Sequence, residues 1–248
     1  MSLPRVSIEL FGRGPLFSSS ANTDHHGPIP VRYIPPMVDD LESIKHPRLP
    51  TDTDDGLLLM ISGPSGAGKT TITRGVDRAI ADSVFSISCT TRDKTEADTE
   101  AVDYHFIDGE EFQELIDDGA FLEWADVFGK KYGTRKKWVD EQLSRGRLVI
   151  LEIDVEGAKQ VKAKMPDAFG IFILPPSEDE LLRRLRNRKR EGEELIQKRF
   201  AEAKREIAEA KACDAYDEFL VNEHIEEAIA NAIQLVRAAR IEHAKKSE

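Results

Sequence analysis

Short segments rich in apolar residues recur along the chain beyond residue 55. They lie in the segments 56–63 (GLLLMISG), 84–89 (VFSISC), 147–154 (RLVILEID), 169–174 (FGIFIL) and 219–222 (FLVN). A continuous apolar run of this length is typical of a strand that is buried on both faces. We therefore predict a β-strand in each of these segments.

Helical patterns separate the predicted strands. A helix is expected from about Lys69 to Ala81, directly after the first strand. In the segment DGEEFQELIDDG, Asp108 is a candidate N-cap and Glu111 completes a capping box. The apolar residues of this segment share one helical face, and they are Phe112, Leu115 and Ile116.

Two further helices complete the pattern. The segment SEDELLRRL begins with another capping box, formed by Ser177 and Glu180. The last helix carries an apolar stripe that consists of Ile225, Ile229, Ala232, Ile233 and Val236. Strands that alternate with helices imply an α/β fold, in which helices cover both sides of a mostly parallel sheet.

Residues 1–54 differ from the rest of the chain. Eight of the 12 prolines fall in this segment, and the stretch SSSANTDHHGP shows no periodicity. Because proline interrupts both helices and sheets, we predict a proline-rich N-terminal extension that is poorly ordered. The remaining residues, 55–248, are predicted to form the folded domain.

Composition restricts the classes of protein that need to be considered. The chain has 248 residues and a formal net charge of −11, which argues against a nucleic-acid-binding surface. The two cysteines, Cys89 and Cys213, lie far apart, as expected in a reducing compartment. No apolar run reaches the length of a membrane span, so no membrane partner is expected. We expect a cytoplasmic protein, with organelle targeting by the extension as the weaker alternative.

A glycine-rich segment follows the first predicted strand. Residues 63–70 fit the pattern G-x-x-x-x-G-K-[ST], and a helix is predicted to begin within it. The glycines allow several backbone N–H groups to point at one phosphate chain, and the helix N-terminus favours negative charge. We therefore predict that this loop binds ATP through Gly63, Pro64, Ser65, Gly66, Ala67, Gly68, Lys69, Thr70 and Thr71.

The sequence beyond this loop resembles the guanylate kinase family. The resemblance runs from about Gly56 to Arg240 and rests on GPSGAGKTT, S-x-T-T-R, DYHF, FLEWA, YGT, LEID, RRLRNRKR and a final VN. It implies a P-loop kinase core with a mostly parallel sheet, an NMP-binding subdomain and an arginine-rich lid. By this resemblance the core comprises residues 55–88, 140–182 and 200–240, the NMP-binding subdomain residues 89–139, and the lid residues 183–199. The implied reaction is Mg²⁺-assisted transfer of the γ-phosphoryl group of ATP to GMP or dGMP.

The resemblance also implies which residues bind GMP. Glu123 corresponds to a carboxylate that accepts hydrogen bonds from guanine N1–H and the 2-amino group, a pair of donors that adenine does not offer. Ser88, Thr134 and Asp154 correspond to residues near the base. The residues expected at the monophosphate are Arg92, Tyr104 and Tyr132.

Some positions depart from the family pattern. The family's second phosphate-binding arginine is Thr95 here, and we expect the adjacent Lys94 to replace it, although a lysine lacks the planar fork of arginine. Glu152 and Glu156 stand where the family usually has aspartate and glutamine, and Lys189 stands at a common glycine of the lid. Glu152 puts the geometry of a Mg²⁺ site in question, and Lys189 puts the hinge of the lid in question.

On the ATP side, the resemblance assigns both catalytic and binding residues. Lys69, Arg184, Arg188 and Arg199 are expected to neutralise the phosphates during transfer, together with Arg92 on the acceptor side. Asn222 is expected near the adenine. Thr70 is expected to bind Mg²⁺, with Glu152 acting directly or through water.

Two alternative functions remain open at this stage. Guanylate kinase-like domains also occur as binding modules without activity, and Thr95 and Glu152 slightly favour that reading. The intact loop residues Gly63, Gly68 and Lys69 argue against it. The other alternative is a related P-loop kinase that phosphorylates a different acceptor. Neither the oligomeric state nor the role of the extension can be inferred from the sequence.

Overall fold

In the computed structural model, the described residues are 56–96, 98–127, 129–187 and 192–247. The predicted extension, residues 1–54, lies outside them. The described part contains nine strands and seven helices. The strands are β1 (Leu57–Ser62), β2 (Ser83–Phe85), β3 (Cys89–Thr90), β4 (His105–Phe106), β5 (Phe121–Val127), β6 (Lys130–Arg135), β7 (Leu148–Glu152), β8 (Phe169–Leu174) and β9 (Glu218–Val221). The helices are α1 (Lys69–Ala79), α2 (Gly109–Asp117), α3 (Lys136–Leu143), α4 (Val155–Lys164), α5 (Glu178–Asn187), α6 (Glu193–Ala212) and α7 (Ile225–Ser247).

The central sheet has the strand order β2-β7-β1-β8-β9, and all its pairs are parallel. Every residue of β1 is buried, as its continuous apolar run predicts. Leu57, Leu59 and Ile61 pack on the side of α1 and α7. Leu58 and Met60 pack on the opposite side, against α3, α4 and α6. Helices therefore cover both faces, and the predicted α/β class is confirmed.

A second, smaller sheet has the order β4-β3-β6-β5 and contains antiparallel pairs. The prediction of one strand over 84–89 was wrong, because the chain changes sheets within it. Phe85 pairs with Ile150 of the central sheet, whereas Cys89 pairs with Gly133 of the second sheet. Apolar character reports burial alone, so it could not show that two different sheets provide that burial.

The predicted helix starts and apolar stripes agree with the structure. The Asp108 carboxylate accepts hydrogen bonds from the backbone N–H groups of Glu110 and Glu111, and the Ser177 hydroxyl accepts one from Glu180 N at 3.1 Å. The residues of the predicted α7 stripe all pack against one core cluster. The first helix ends two residues before the predicted Ala81. Among the described residues, no helix is long and apolar enough to cross a membrane.

Candidate nucleotide-binding site

A cleft of about 460 Å³ lies where the carboxyl ends of β1 and β7 face the second sheet and α6. The carboxyl edge of a parallel sheet is the usual location of ligand sites in α/β folds. The walls combine loop, sheet and helix residues that are distant in sequence. Among them are Gly63, Ser65, Lys69, Ser88, Tyr104, Glu123, Tyr132, Glu152, Asp154, Arg199, Glu202 and Glu206.

The glycine-rich loop requires glycine at several of its positions. Gly63, Gly66 and Gly68 have φ values of 149°, 92° and 97°, a region that other residues rarely adopt. A Cβ atom on Gly68 would also lie 2.3 Å from Nδ2 of Asn222. The Asn222 side chain is buried and donates a hydrogen bond from Nδ2 to the Ala67 carbonyl at 2.7 Å. Through this hydrogen bond, Asn222 supports the backbone of the loop.

Lys69 and Thr70 begin α1 at the end of this loop. Lys69 Nζ donates to the carbonyl oxygens of Gly63 at 2.5 Å and Pro64 at 3.2 Å, so the lysine folds back over its own loop. The Thr70 hydroxyl donates to Glu152 Oε1 at 2.8 Å. A hydroxyl and a carboxylate in contact at a helix N-terminus offer the hard oxygen ligands that Mg²⁺ prefers. Thr71 is the next residue of α1 and is exposed.

Among the described residues, no group of three or more His, Cys, Asp or Glu side chains could hold a metal ion. A Mg²⁺ ion at Thr70 and Glu152 would therefore depend on phosphate and water for its other ligands. Mg²⁺ commonly binds in this way at phosphate-transfer sites. The residues present fit such an ion, including the glutamate that replaces the usual aspartate.

Glu123 is a buried carboxylate in the wall of the cleft, with only 4% of its surface exposed. The register of β5 and β6 places it opposite Thr134, whose hydroxyl donates to Glu123 Oε1 at 2.5 Å. Burial raises the pKa of Glu123 to about 7, although the Thr134 hydrogen bond acts in the opposite direction. Its other oxygen lies against Gly157, where a Cβ atom would come within 2.6 Å of Oε2.

The three residues predicted at the monophosphate lie together. The guanidinium carbon of Arg92 is 5.2 Å from the ring centroid of Tyr104. The Tyr104 and Tyr132 rings meet edge to face with centroids 5.6 Å apart. Both tyrosines line the cleft. Asp98, which the sequence did not single out, binds Arg92 through both carboxylate oxygens.

The remaining predicted acceptor residues occupy different surroundings. Ser88 lines the cleft. Asp154 also lines it, but its Oδ1 accepts a hydrogen bond from Gly157 N at 2.7 Å and so caps α4. Lys94 is exposed, and its Nζ lies 5.8 Å from the ring centroid of Phe106.

Of the predicted lid arginines, two are described. Arg184 donates from Nε to Glu180 Oε1 at 2.7 Å and from Nη2 to the Asn222 carbonyl at 3.0 Å. Arg199 lines the cleft from α6. Arg188 lies outside the described residues.

Two acids of α6 that the sequence did not single out also face the cleft. Glu202 and Glu206 line it together with Arg199 and Ala203. Burial raises the pKa of Glu206 to about 7, while the nearby Lys69 acts to lower it. Glu202 lies three residues after Arg199, and Glu206 lies four residues after Glu202. Residues three and four apart share one helical face, so this spacing could have indicated that the two acids face the same way as Arg199.

These features define a P-loop nucleotide-binding protein. A glycine-rich loop joins a buried parallel strand to a helix that begins with lysine and threonine, and a cleft with cationic and carboxylate side chains lies beside it.

Comparison with known proteins specifies the family. The guanylate kinase family model matches residues 56–239. The chain is 47% identical over 190 residues to a guanylate kinase of Anaeromyxobacter dehalogenans, which covers 76% of this chain and 83% of the relative. It is 44% identical over 185 residues to a guanylate kinase of Coxiella burnetii, covering 75% and 88%.

A solved structure agrees with these relatives. The crystal structure of guanylate kinase from Anaplasma phagocytophilum superposes with a TM-score of 0.60 at 32% identity, covering 76% of this chain and 88% of that one. The chain belongs to the guanylate kinase family.

Proposed function

We propose that the protein transfers the γ-phosphoryl group of ATP to GMP or dGMP, giving ADP and the guanine nucleoside diphosphate. The observation that carries this proposal is the buried Glu123 carboxylate in a cleft that also contains the phosphate loop. An ionised carboxylate accepts two adjacent N–H donors at once, and guanine presents such a pair. Membership of the guanylate kinase family supports the same acceptor.

On the acceptor side, Glu123 would read the base while Thr134 holds one of its oxygens. Ser88 and Asp154 would lie near the base, since both line the same cleft. Arg92, Tyr104 and Tyr132 would hold the monophosphate, with Lys94 as an additional cation. Adenine would place its N1 acceptor against the carboxylate, and such a buried mismatch discriminates strongly.

On the donor side, the loop N–H groups would surround the ATP phosphates while Lys69 reaches the transferred group. Thr70 and Glu152 would hold Mg²⁺, which neutralises phosphate charge when it is bound. Arg184, Arg188 and Arg199 would add positive charge from α5, α6 and the segment between them. Arg184 also links α5 to Asn222 near the loop.

We further propose that the NMP-binding residues 89–139 and the lid residues 183–199 close over the core and exclude water from the phosphates. The proposed limits at 139, 182 and 199 fall inside α3, α5 and α6. Because a continuous helix moves as one body, the hinges of this closure would lie at the ends of these helices rather than at the limits themselves.

The test is to measure ADP formation with ATP and Mg²⁺ for each of GMP, dGMP, AMP, CMP and UMP. GMP and dGMP are expected to react far faster than the others. Glu123→Gln should lose most activity with GMP because one acceptor becomes a donor. Glu110→Gln, which changes an exposed acid on α2, is the matched control. Equal rates with GMP and AMP would refute the proposal, and so would absence of turnover with every acceptor.

A further inference from the structure

Arg92 and Thr95 are joined through the Asp98 carboxylate. Arg92 donates from Nη1 to Oδ2 at 3.0 Å and from Nη2 to Oδ1 at 2.9 Å. Thr95 donates to Oδ2 from its backbone N at 2.8 Å and from its hydroxyl at 2.6 Å. The family's second phosphate-binding arginine would stand at position 95, so the residue that replaces it here contacts Asp98 instead.

The geometry of this pair leaves one edge of the guanidinium available. A guanidinium has five N–H donors, and either its two terminal nitrogens or Nε with one terminal nitrogen can bind an anion in bidentate fashion. Asp98 occupies the terminal edge, and Nη1 also donates to the Asp93 carbonyl at 3.1 Å. Among the described residues, none accepts a hydrogen bond from Nε.

Asp98 is held in place independently of Arg92. Its side chain is only 15% exposed, and the two Thr95 donors fix Oδ2. Arg92 and Thr95 keep the pKa of Asp98 well below its usual range, so the carboxylate stays charged. The rings of Tyr104 and Phe106 lie 5.2 and 5.4 Å from the guanidinium carbon and restrict its movement further.

We propose that Asp98 is a positioning residue of the acceptor-phosphate site. It holds Arg92 by the terminal edge so that the Nε–Nη2 edge is presented to the GMP phosphate, and Thr95 in turn holds Asp98. This inference rests on the proposed GMP kinase function. The chain then compensates for the missing arginine by fixing the arginine that remains, because a preorganised fork loses less freedom on binding.

The test compares Thr95→Val, Thr95→Ser and Asp98→Asn by their KM for GMP and for ATP. Valine removes the hydroxyl at nearly constant shape, whereas serine keeps it. Asp93→Asn is the matched control, because the Asp93 carboxylate lies in the same loop, is 94% exposed and contacts Lys130 rather than Arg92. The inhibition constant of guanosine is measured alongside, since guanosine presents the base without a phosphate.

Asp98→Asn and Thr95→Val are expected to raise the KM for GMP about tenfold, as for one weakened charge-assisted hydrogen bond. Thr95→Ser should keep the KM for GMP near that of the unmodified protein. In all three variants, the KM for ATP and the inhibition constant of guanosine should stay within about twofold of the values for the unmodified protein.

Three results would overturn the inference. An unchanged KM for GMP would show that Asp98 does not position Arg92. A lower KM in Asp98→Asn would show that Asp98 competes with the phosphate for Arg92. An equal loss of guanosine and GMP binding would show a general packing role for the loop. Failure of the proposed function is distinguished from all of these, because the unmodified protein would then not bind or phosphorylate GMP.

Discussion

Replacing Gly157 by alanine is expected to damage guanine recognition without damaging the fold. Gly157 lies in the first turn of α4, and a Cβ atom there would stand 2.6 Å from Glu123 Oε2 and 3.2 Å from its Cδ. The carboxylate oxygen would need to move by about 0.8 Å to reach ordinary contact at 3.4 Å. Thr134 holds the other oxygen at 2.5 Å, so the carboxylate must rotate or break that bond.

The magnitude follows from the hydrogen bonds that this movement weakens. A hydrogen bond to a charged group contributes about 1.5–3 kcal/mol, so misaligning one should raise the KM for GMP by about ten- to a hundredfold. The atoms in conflict belong to the end of a side chain rather than to the backbone, so the fold can adapt. Alanine is also favoured over glycine within a helix by about 1 kcal/mol, which offsets part of the strain.

The assay is steady-state kinetics with varied GMP and varied ATP, together with urea unfolding. The KM for GMP should rise while the KM for ATP and the unfolding midpoint change little. Gly109→Ala is the matched control, because Gly109 begins α2 and a Cβ atom there meets nothing within 4 Å. A KM for GMP within twofold of the unmodified protein would refute the assigned contact between Gly157 and Glu123.

Five other outcomes are expected. Lys69→Ala should lower turnover by orders of magnitude while leaving GMP binding and the unfolding midpoint nearly unchanged, and near-normal turnover would contradict its role at the transferred phosphate. With the pKa of Glu123 raised to about 7, kcat/KM for GMP should rise as pH increases through 7, a step that Glu123→Gln should abolish. Because that pKa lies above its unfolded value of about 4.5, the free energy of unfolding contributed by Glu123 should fall as pH rises from about 4.5 to about 7 and level off above 7, which urea titrations of the unmodified protein and of Glu123→Gln can show. Lys94→Ala should raise the KM for GMP clearly, and an unchanged value would exclude Lys94 as a phosphate ligand. A chain that begins at Asp54 should fold and phosphorylate GMP, and an insoluble or inactive product would show that residues 1–53 belong to the domain.

The phosphate loop and the central strands could be predicted because their signals are local. The loop pattern from Gly63 to Thr70 requires glycine for backbone reasons, and positive φ values are found at three of these positions. The first five residues of β1, Leu57 to Ile61, are all apolar because both faces of the strand are buried. Each of these requirements acts within a few residues, so the sequence shows them directly.

The change of sheet after Phe85 and the bonding of Arg92 could not be predicted in this way. Phe85 and Cys89 have similar neighbours in sequence. Only their distant strand partners, Ile150 and Gly133, show that the two residues belong to different sheets. Asp98 stands in a loop without periodicity, so nothing local distinguishes it from a solvated acid. Its role depends on the conformation of this loop, which brings the Asp98 carboxylate back to Arg92 and Thr95, and no spacing rule describes that conformation.

The hydrogen bond between Asn222 and the Ala67 carbonyl also affects how the protein is made. It joins residues 155 positions apart in sequence. At a synthesis rate of about 5–20 residues per second, roughly 8–30 s separate the two. During that interval the loop lacks the side chain that supports it, so tight nucleotide binding belongs to the completed chain. ATP or GMP can therefore stabilise the finished enzyme by mass action but gives little protection to its nascent form.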